Sequence, residues 1–145
     1  MSGMTAETLH KLLSNPEYVG ENKCRPHSDH SFYDNVKEAE EGKTSGLIQN
    51  LNGIWKFKWS KNLSERPEDF FMPGFNVSKF DDIPVPGHIE LNGYGVPQYV
   101  NVSYPWDGTE PLDPPEVSRD YNPVGSYVLD VRIDRHLRDK PKTWK

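Results

Sequence analysis

The chain has 145 residues, a formal net charge of -5 and 27% charged residues. The absence of a long apolar run argues against a membrane-spanning protein, and the absence of a basic face argues against a general nucleic-acid binder. Hydrophobic residues make up only 34% of the sequence, but 12% of it is aromatic, and such large side chains can supply a folded core.

The cysteine content and the N-terminus bear on cellular location. The single cysteine, Cys24, cannot form an internal disulfide, and residues 1–13 carry charged residues where a secretory signal would have an apolar core. Both features favour a cytoplasmic location. The three Asn-x-Ser sequences are therefore interpreted as chance matches to the glycosylation pattern.

A short helix is predicted near the N-terminus. Thr5 is a suitable N-cap, Pro16 lies just past the expected end, and apolar residues recur at helical spacing between them: Ala6, Leu9, Leu12 and Leu13. From Tyr18 to Gly46 the sequence is polar and has no sustained period. We interpret this stretch as an extended arm that lies on another surface; a solvated leader is the alternative.

Strands are predicted from Leu51 onward. Between Leu51 and Trp59, aromatic residues alternate with Lys56 and Lys58, which indicates a strand with one apolar and one solvated face. Glu65–Phe71 could form a short helical turn.

The later part of the chain continues this pattern. Ile83–Pro86 is expected to be extended because proline restricts its neighbours. A turn is expected at 93–95, another extended segment at 96–104, a proline-containing loop at 106–121 and a last strand at Ser126–Ile133. Short strands separated by Pro and Gly predict an antiparallel all-β sandwich, and because few strands are convincing, the sandwich is expected to be incomplete.

Three kinds of catalytic or metal site find little support in the sequence. His27, Asp29 and His30 could offer metal ligands, but no second cluster completes a shell. Cys24 lacks the activating groups that a nucleophile needs. Acidic residues that could act as a glycosidase pair are not forced into one cleft; the candidates are Asp81, Asp82, Glu90 and Glu116.

Polar side chains among aromatic residues suggest a different chemistry. Aromatic rings can cover the C–H face of a sugar while amide and carboxylate groups bind its hydroxyls. The residues concerned are His88, Tyr99, Asn101, Tyr104, Trp106 and Asp107. The alternative is that the aromatic residues simply form the core.

Five motifs occur in an order that resembles one known family. They begin at Asn15 (NPEY, followed by ENKCRPH), Leu51 (LNGIWKF), Ile83 (IPVPGHIEL), Pro97 (PQYVNVSYPW) and Asn122 (NPVGSY). The series resembles the N-terminal region of the large β-galactosidases of glycoside hydrolase family 2. Residues 27–30 (HSDH) and 105–108 (PWDG) are most similar to the large subunits of the bacterial heterodimeric enzymes.

The resemblance implies a fold and a domain organisation. It implies an N-terminal arm or interface segment with a short helix at residues 1–50. A galactose-binding-like jelly-roll sandwich would follow at residues 51–145, incomplete because the family domain continues further. It also places the catalytic carboxylates in a barrel outside this chain, so the chain is expected to be a truncated part of a longer enzyme and inactive alone.

The resemblance also implies site residues and partners. Asn101 would contact galactose, with Val102 as a weaker candidate at the same edge. The complete enzyme would use Mg²⁺ and a monovalent cation, form oligomers and cleave lactose, although related family members cleave glucuronides or mannosides. The alternatives are a carbohydrate-binding module that acts alone and an assembly fragment that complements a truncated partner.

Overall fold

The computed structural model describes residues 4–26, 28, 31–43, 45–97, 101, 105–108 and 110–139. The chain forms two compact units. The first unit comprises Met1–Glu21 and Gly53–Leu129, and the second comprises Asn22–Asn52 and Asp130–Lys145.

The first unit is built on an antiparallel sheet. Its strands are β1 (Gly53–Ser60), β2 (Asp81–Val85) and β3 (Val124–Val128), and their order in the sheet is β2-β1-β3. Both neighbours run antiparallel to β1. The structure thus confirms the all-β, antiparallel expectation.

The alternation in β1 produces the two faces that the sequence predicts. Phe57 is fully buried, and Ile83, on the same face of β2, is 1% exposed. The Phe57 ring lies 4.8 Å from the ring of Tyr94 and 4.7 Å from that of Tyr127. On the other face, Lys56 forms a 2.7 Å ion pair with Asp82.

Gly125 allows β3 to approach this aromatic cluster. A Cβ atom at this position would lie 2.8 Å from Cε2 of Phe57 and 3.0 Å from Cε2 of Tyr127. These separations are shorter than carbon atoms tolerate, so a side chain at residue 125 would displace the buried rings.

The N-terminal helix α1 (Ala6–Leu13) forms as expected and belongs to the first unit. The Thr5 hydroxyl accepts a hydrogen bond from the Thr8 amide. Nε2 of the buried His10 lies 2.9 Å from the Val117 carbonyl oxygen. The helix is therefore attached to the loop that precedes β3.

The second unit contains a helix that the sequence analysis did not predict. Helix α2 (Val36–Glu40) is capped by Asn35, whose side chain accepts from the Glu38 amide, while the Glu38 carboxylate accepts from the Asp34 amide. The arrangement is a variant of the capping box, because Glu38 accepts from the amide of the residue before the N-cap and not from that of Asn35 itself. Its signal is Asn35 followed three residues later by Glu38, inside a stretch too short to show a period.

The predicted limits of the last strand were wrong. The last strand begins at Val124 and ends at Val128 instead of spanning Ser126–Ile133. In the second unit, the Gln49 amide donates to the Arg132 carbonyl and accepts from the Asp134 amide, at 2.9 and 3.0 Å. The backbone groups of Arg132 and Asp134 therefore bond to a side chain, whereas a strand that reached Ile133 would need the backbone of a neighbouring strand there. At residues 65–71, where a short helical turn is predicted, the chain forms turns, one of them closed by a hydrogen bond from the Met72 amide to the Asp69 carbonyl at 2.9 Å.

Candidate functional site

A cleft of about 560 Å³ lies on the first unit beside the end of β1. We call it the Trp59 cleft. Aromatic rings and polar side chains both contribute to its lining, which includes Trp59, His88, Glu90, Tyr94, Val96 and Tyr121.

The segment after β2 positions one wall of the Trp59 cleft. A 3₁₀ turn at Glu90–Asn92 is closed by Gly93 at φ 89°, a conformation that favours glycine. The Asn92 side chain donates to the His88 carbonyl at 2.8 Å, and the Tyr94 amide donates to the Ile89 carbonyl at 3.2 Å. These bonds fix the turn that carries His88 and Glu90.

Tyr94 joins this wall to the buried face of the sheet. Its ring meets Phe57 edge to face, and its hydroxyl donates to Oδ2 of Asp81 at 2.9 Å. Burial, and then the hydrogen bond to Asp81, raises the pKa of Tyr94. Burial, and then the charge of Glu90, raises the pKa of Tyr127. The phenols of this cluster are therefore held in their protonated form.

Alkaline conditions should destabilise the first unit through these phenols. A native pKa above the unfolded value means that, above about pH 10, the unfolded chain loses protons that the native state still holds. The free energy of unfolding is therefore expected to fall as the pH rises through this range. Tyr94→Phe should make that fall shallower, and Tyr33→Phe, in the second unit, serves as the control. Urea unfolding between pH 8 and pH 11 measures the slopes; equal slopes for the wild type and Tyr94→Phe would contradict the assignment.

Among the described residues, several polar groups of the Trp59 cleft have no hydrogen-bond or ion-pair partner. Nε1 of Trp59 is buried and has no hydrogen-bond partner in the part of the chain that the structure describes. Among the described residues, neither the His88 imidazole nor the Glu90 carboxylate takes part in a hydrogen bond or an ion pair. The exposed His88 imidazole and Glu90 carboxylate therefore provide accessible polar groups beside the aromatic rings of the cleft.

The loop between Trp106 and Tyr121 is held by internal hydrogen bonds. Trp106 donates its indole N–H to the Tyr121 carbonyl at 2.8 Å. The Ser118 hydroxyl, which is 1% exposed, donates to Glu110 at 2.6 Å and accepts from the Tyr121 amide at 2.8 Å. These side chains hold the loop in shape.

The residues predicted from sequence do not all meet in one place. Asn101 is exposed and lies outside any strand, whereas Val102, Tyr99 and Tyr104 lie outside the described residues. His88 lines the Trp59 cleft. The indole N–H of Trp106 donates to the Tyr121 carbonyl at the other end of its loop.

Most of the residues that line the Trp59 cleft are not identified from the sequence as members of one site. Trp59 was interpreted only as part of a strand face, and Glu90 only as a possible catalytic carboxylate. The detectable signal was the turn around Tyr94, because its two flanking glycines indicate a sharp reversal next to the strand that carries Trp59.

Metal ligands are not gathered in the part of the chain that the structure describes. His27, Asp29 and His30 lie outside the described residues, and Cys24 is a free, exposed thiol. No three His, Cys, Asp or Glu side chains among the described residues could together hold a metal ion. In the same residues, no helix has both the length and the apolar character needed to cross a membrane.

Comparison with known proteins identifies the family. Residues 48–143 match the family described as glycosyl hydrolases family 2, sugar binding domain. The chain belongs to this family. The match includes all three strands and the lining of the Trp59 cleft, and it confirms the resemblance found in the sequence motifs.

The curated relatives are named β-galactosidases. The chain is 48% identical to that of Halalkalibacterium halodurans over 83% of this chain and 12% of the relative. It is 45% identical to that of Clostridium acetobutylicum over 88% of this chain and 14% of the relative. It is 41% identical to the β-galactosidase large subunit of Leuconostoc lactis, over 84% of this chain and 21% of that subunit. The chain thus spans between about an eighth and a fifth of these relatives' lengths.

Proposed function

We propose that the chain is the N-terminal sugar-binding part of a β-galactosidase that hydrolyses terminal β-D-galactosides such as lactose. The observation that carries the proposal is the match of residues 48–143 to the family's sugar binding domain, together with the β-galactosidase names of the three relatives described above. In this role the chain contributes to the galactose subsite and to oligomer assembly, in a cytoplasmic enzyme.

The chemistry of the complete enzyme would be that of a retaining glycosidase. One carboxylic acid protonates the leaving oxygen, and a second carboxylate forms the glycosyl-enzyme. We assign both groups to parts of the enzyme outside this chain. The described residues contain no ligand cluster for the Mg²⁺ and monovalent cation that the resemblance implies for the complete enzyme.

Asn101 is proposed to bind galactose. Its side-chain amide can donate to and accept from sugar hydroxyls, and the residue is exposed. Val102 is proposed to lie at the edge of the same subsite. The alternative role for Asn101 is to pair with nearby backbone groups.

Replacing Asn101 should reduce turnover more than folding. The test uses a chimera in which this chain replaces the matching segment of the Halalkalibacterium halodurans β-galactosidase. Loss of a neutral hydrogen bond costs about 0.5–1.5 kcal/mol, so we expect Asn101→Ala to lower kcat/KM roughly threefold to tenfold.

The control for this experiment is Asn52→Ala, which removes another exposed asparagine side chain. Kinetics and a thermal melt are measured on the same preparations. A lowered Tm with unchanged kcat/KM for Asn101→Ala would show that Asn101 stabilises the backbone and does not contact substrate.

A second candidate function is assembly with a partner polypeptide. An apolar groove of about 310 Å³ lies along α1 and the segment after it. Its lining includes Met4, Leu9, Leu12, Leu13, Tyr18 and Val19. Leu13 and Val19 are 53% and 79% exposed, which favours contact with another surface. Restoration of activity on mixing this chain with a relative that lacks the matching segment would support this candidate.

A further inference from the structure

We propose that the Trp59 cleft is a saccharide-binding site separate from the Asn101 position. Among the described residues, Asn101 is not part of the lining of this cleft. The inference rests on the proposed function only for the class of sugar, a β-galactoside. It requires neither hydrolysis nor a contact with Asn101.

The aromatic part of the cleft suits the apolar face of a sugar ring. Trp59, Tyr94 and Tyr121 are all partly buried, so each combines a fixed position with some accessible surface. Tyr94 is held by its edge-to-face contact with Phe57 and its hydrogen bond to Asp81. Rings held in this way bind a ligand without losing much side-chain freedom.

The polar part of the cleft favours a saccharide over an apolar protein segment. His88 and Glu90 have no hydrogen bond or ion pair within the described residues. An apolar segment laid over them would remove their contact with water and give no bond in return, which is unfavourable. Sugar hydroxyls can donate to the Glu90 carboxylate and can bond to the His88 imidazole in either of its neutral forms.

The size and openness of the cleft predict weak binding. Its volume of about 560 Å³ lies within the range of small-molecule sites. However, His88 and Glu90 are exposed, so a bound sugar would keep part of its hydration. We therefore expect a dissociation constant in the millimolar range for methyl β-D-galactopyranoside or lactose.

The experiment titrates the 145-residue chain with methyl β-D-galactopyranoside and follows the indole N–H signals by NMR. Trp59→Phe assigns the Trp59 signal. We expect saturable movement of that signal, and a threefold to tenfold weaker dissociation constant in Glu90→Ala and His88→Ala. The matched control is Glu116→Ala, which removes an exposed carboxylate from another loop and should leave the dissociation constant unchanged.

Other results of this titration would reject sugar binding in the Trp59 cleft and leave the proposed β-galactosidase function intact. An unmoved Trp59 signal at saturating sugar, or equal affinity in the wild type, Glu90→Ala and His88→Ala, would overturn the cleft as a sugar site. Binding that disappears only in Asn101→Ala would support the proposed galactose subsite and also overturn the cleft. Cleft signals that respond to protein concentration and not to sugar would show a docking surface for a second chain instead.

Discussion

Phe57→Ala is expected to abolish the cooperative fold of the first unit. Phe57 is completely buried, and its ring contacts the rings of both Tyr94 and Tyr127. Truncation of a buried phenylalanine costs about 3–5 kcal/mol, because apolar contacts are lost and a cavity remains. Phe57 and Ile83 are the buried apolar residues among those described, so little other core would compensate.

The matched control for this change is Ile54→Ala on the same strand. Ile54 is 62% exposed, and its replacement should change the free energy of unfolding by less than about 1 kcal/mol. Urea unfolding followed by circular dichroism compares the two variants with the wild type. If Phe57→Ala unfolds at the same urea concentration as Ile54→Ala, the aromatic cluster is not the stabilising core.

The second large effect concerns catalysis: the 145-residue chain should release no nitrophenol from nitrophenyl β-D-galactoside above the rate in buffer. A retaining glycosidase needs two carboxyl groups about 5–5.5 Å apart on either side of the bond. Two of the acidic candidates already have structural partners, since Asp81 accepts from the Tyr94 hydroxyl and Asp82 pairs with Lys56.

A contaminating host enzyme is the main source of false activity in this assay. The positive control is a curated relative at equal molar concentration, and the negative control is a mock purification. Turnover that persists through repurification and disappears in Glu90→Ala or Glu116→Ala would contradict the assignment of the catalytic carboxylates to other parts of the enzyme.

Local patterns in the sequence were sufficient where neighbouring residues decide the structure. The alternation from Leu51 to Trp59 predicted the two faces of β1, because successive strand side chains point to opposite sides. Thr5 predicted the start of α1, since its hydroxyl caps the first turn. The motif series predicted the family, and the match of residues 48–143 confirmed it.

The limits of β3 depended on partners distant in sequence. The alternation of Tyr127, Leu129, Val131 and Ile133 favoured a strand to residue 133, but a strand continues only where another strand accepts its hydrogen bonds. In the structure β3 pairs with β1 from Val124 to Val128. Beyond that, in the second unit, the Gln49 side chain bonds to the backbone at Arg132 and Asp134.

Residue patterns alone were enough to predict an antiparallel all-β domain, a capped N-terminal helix and membership of glycosyl hydrolases family 2. Which side chains lie together in one cleft depended instead on how distant segments of the chain pack. Trp59 and Tyr121 are far apart in the chain and line one cleft because β1 and β3 are neighbours in the sheet. Such contacts arise from strand pairing between distant segments, which no local pattern encodes.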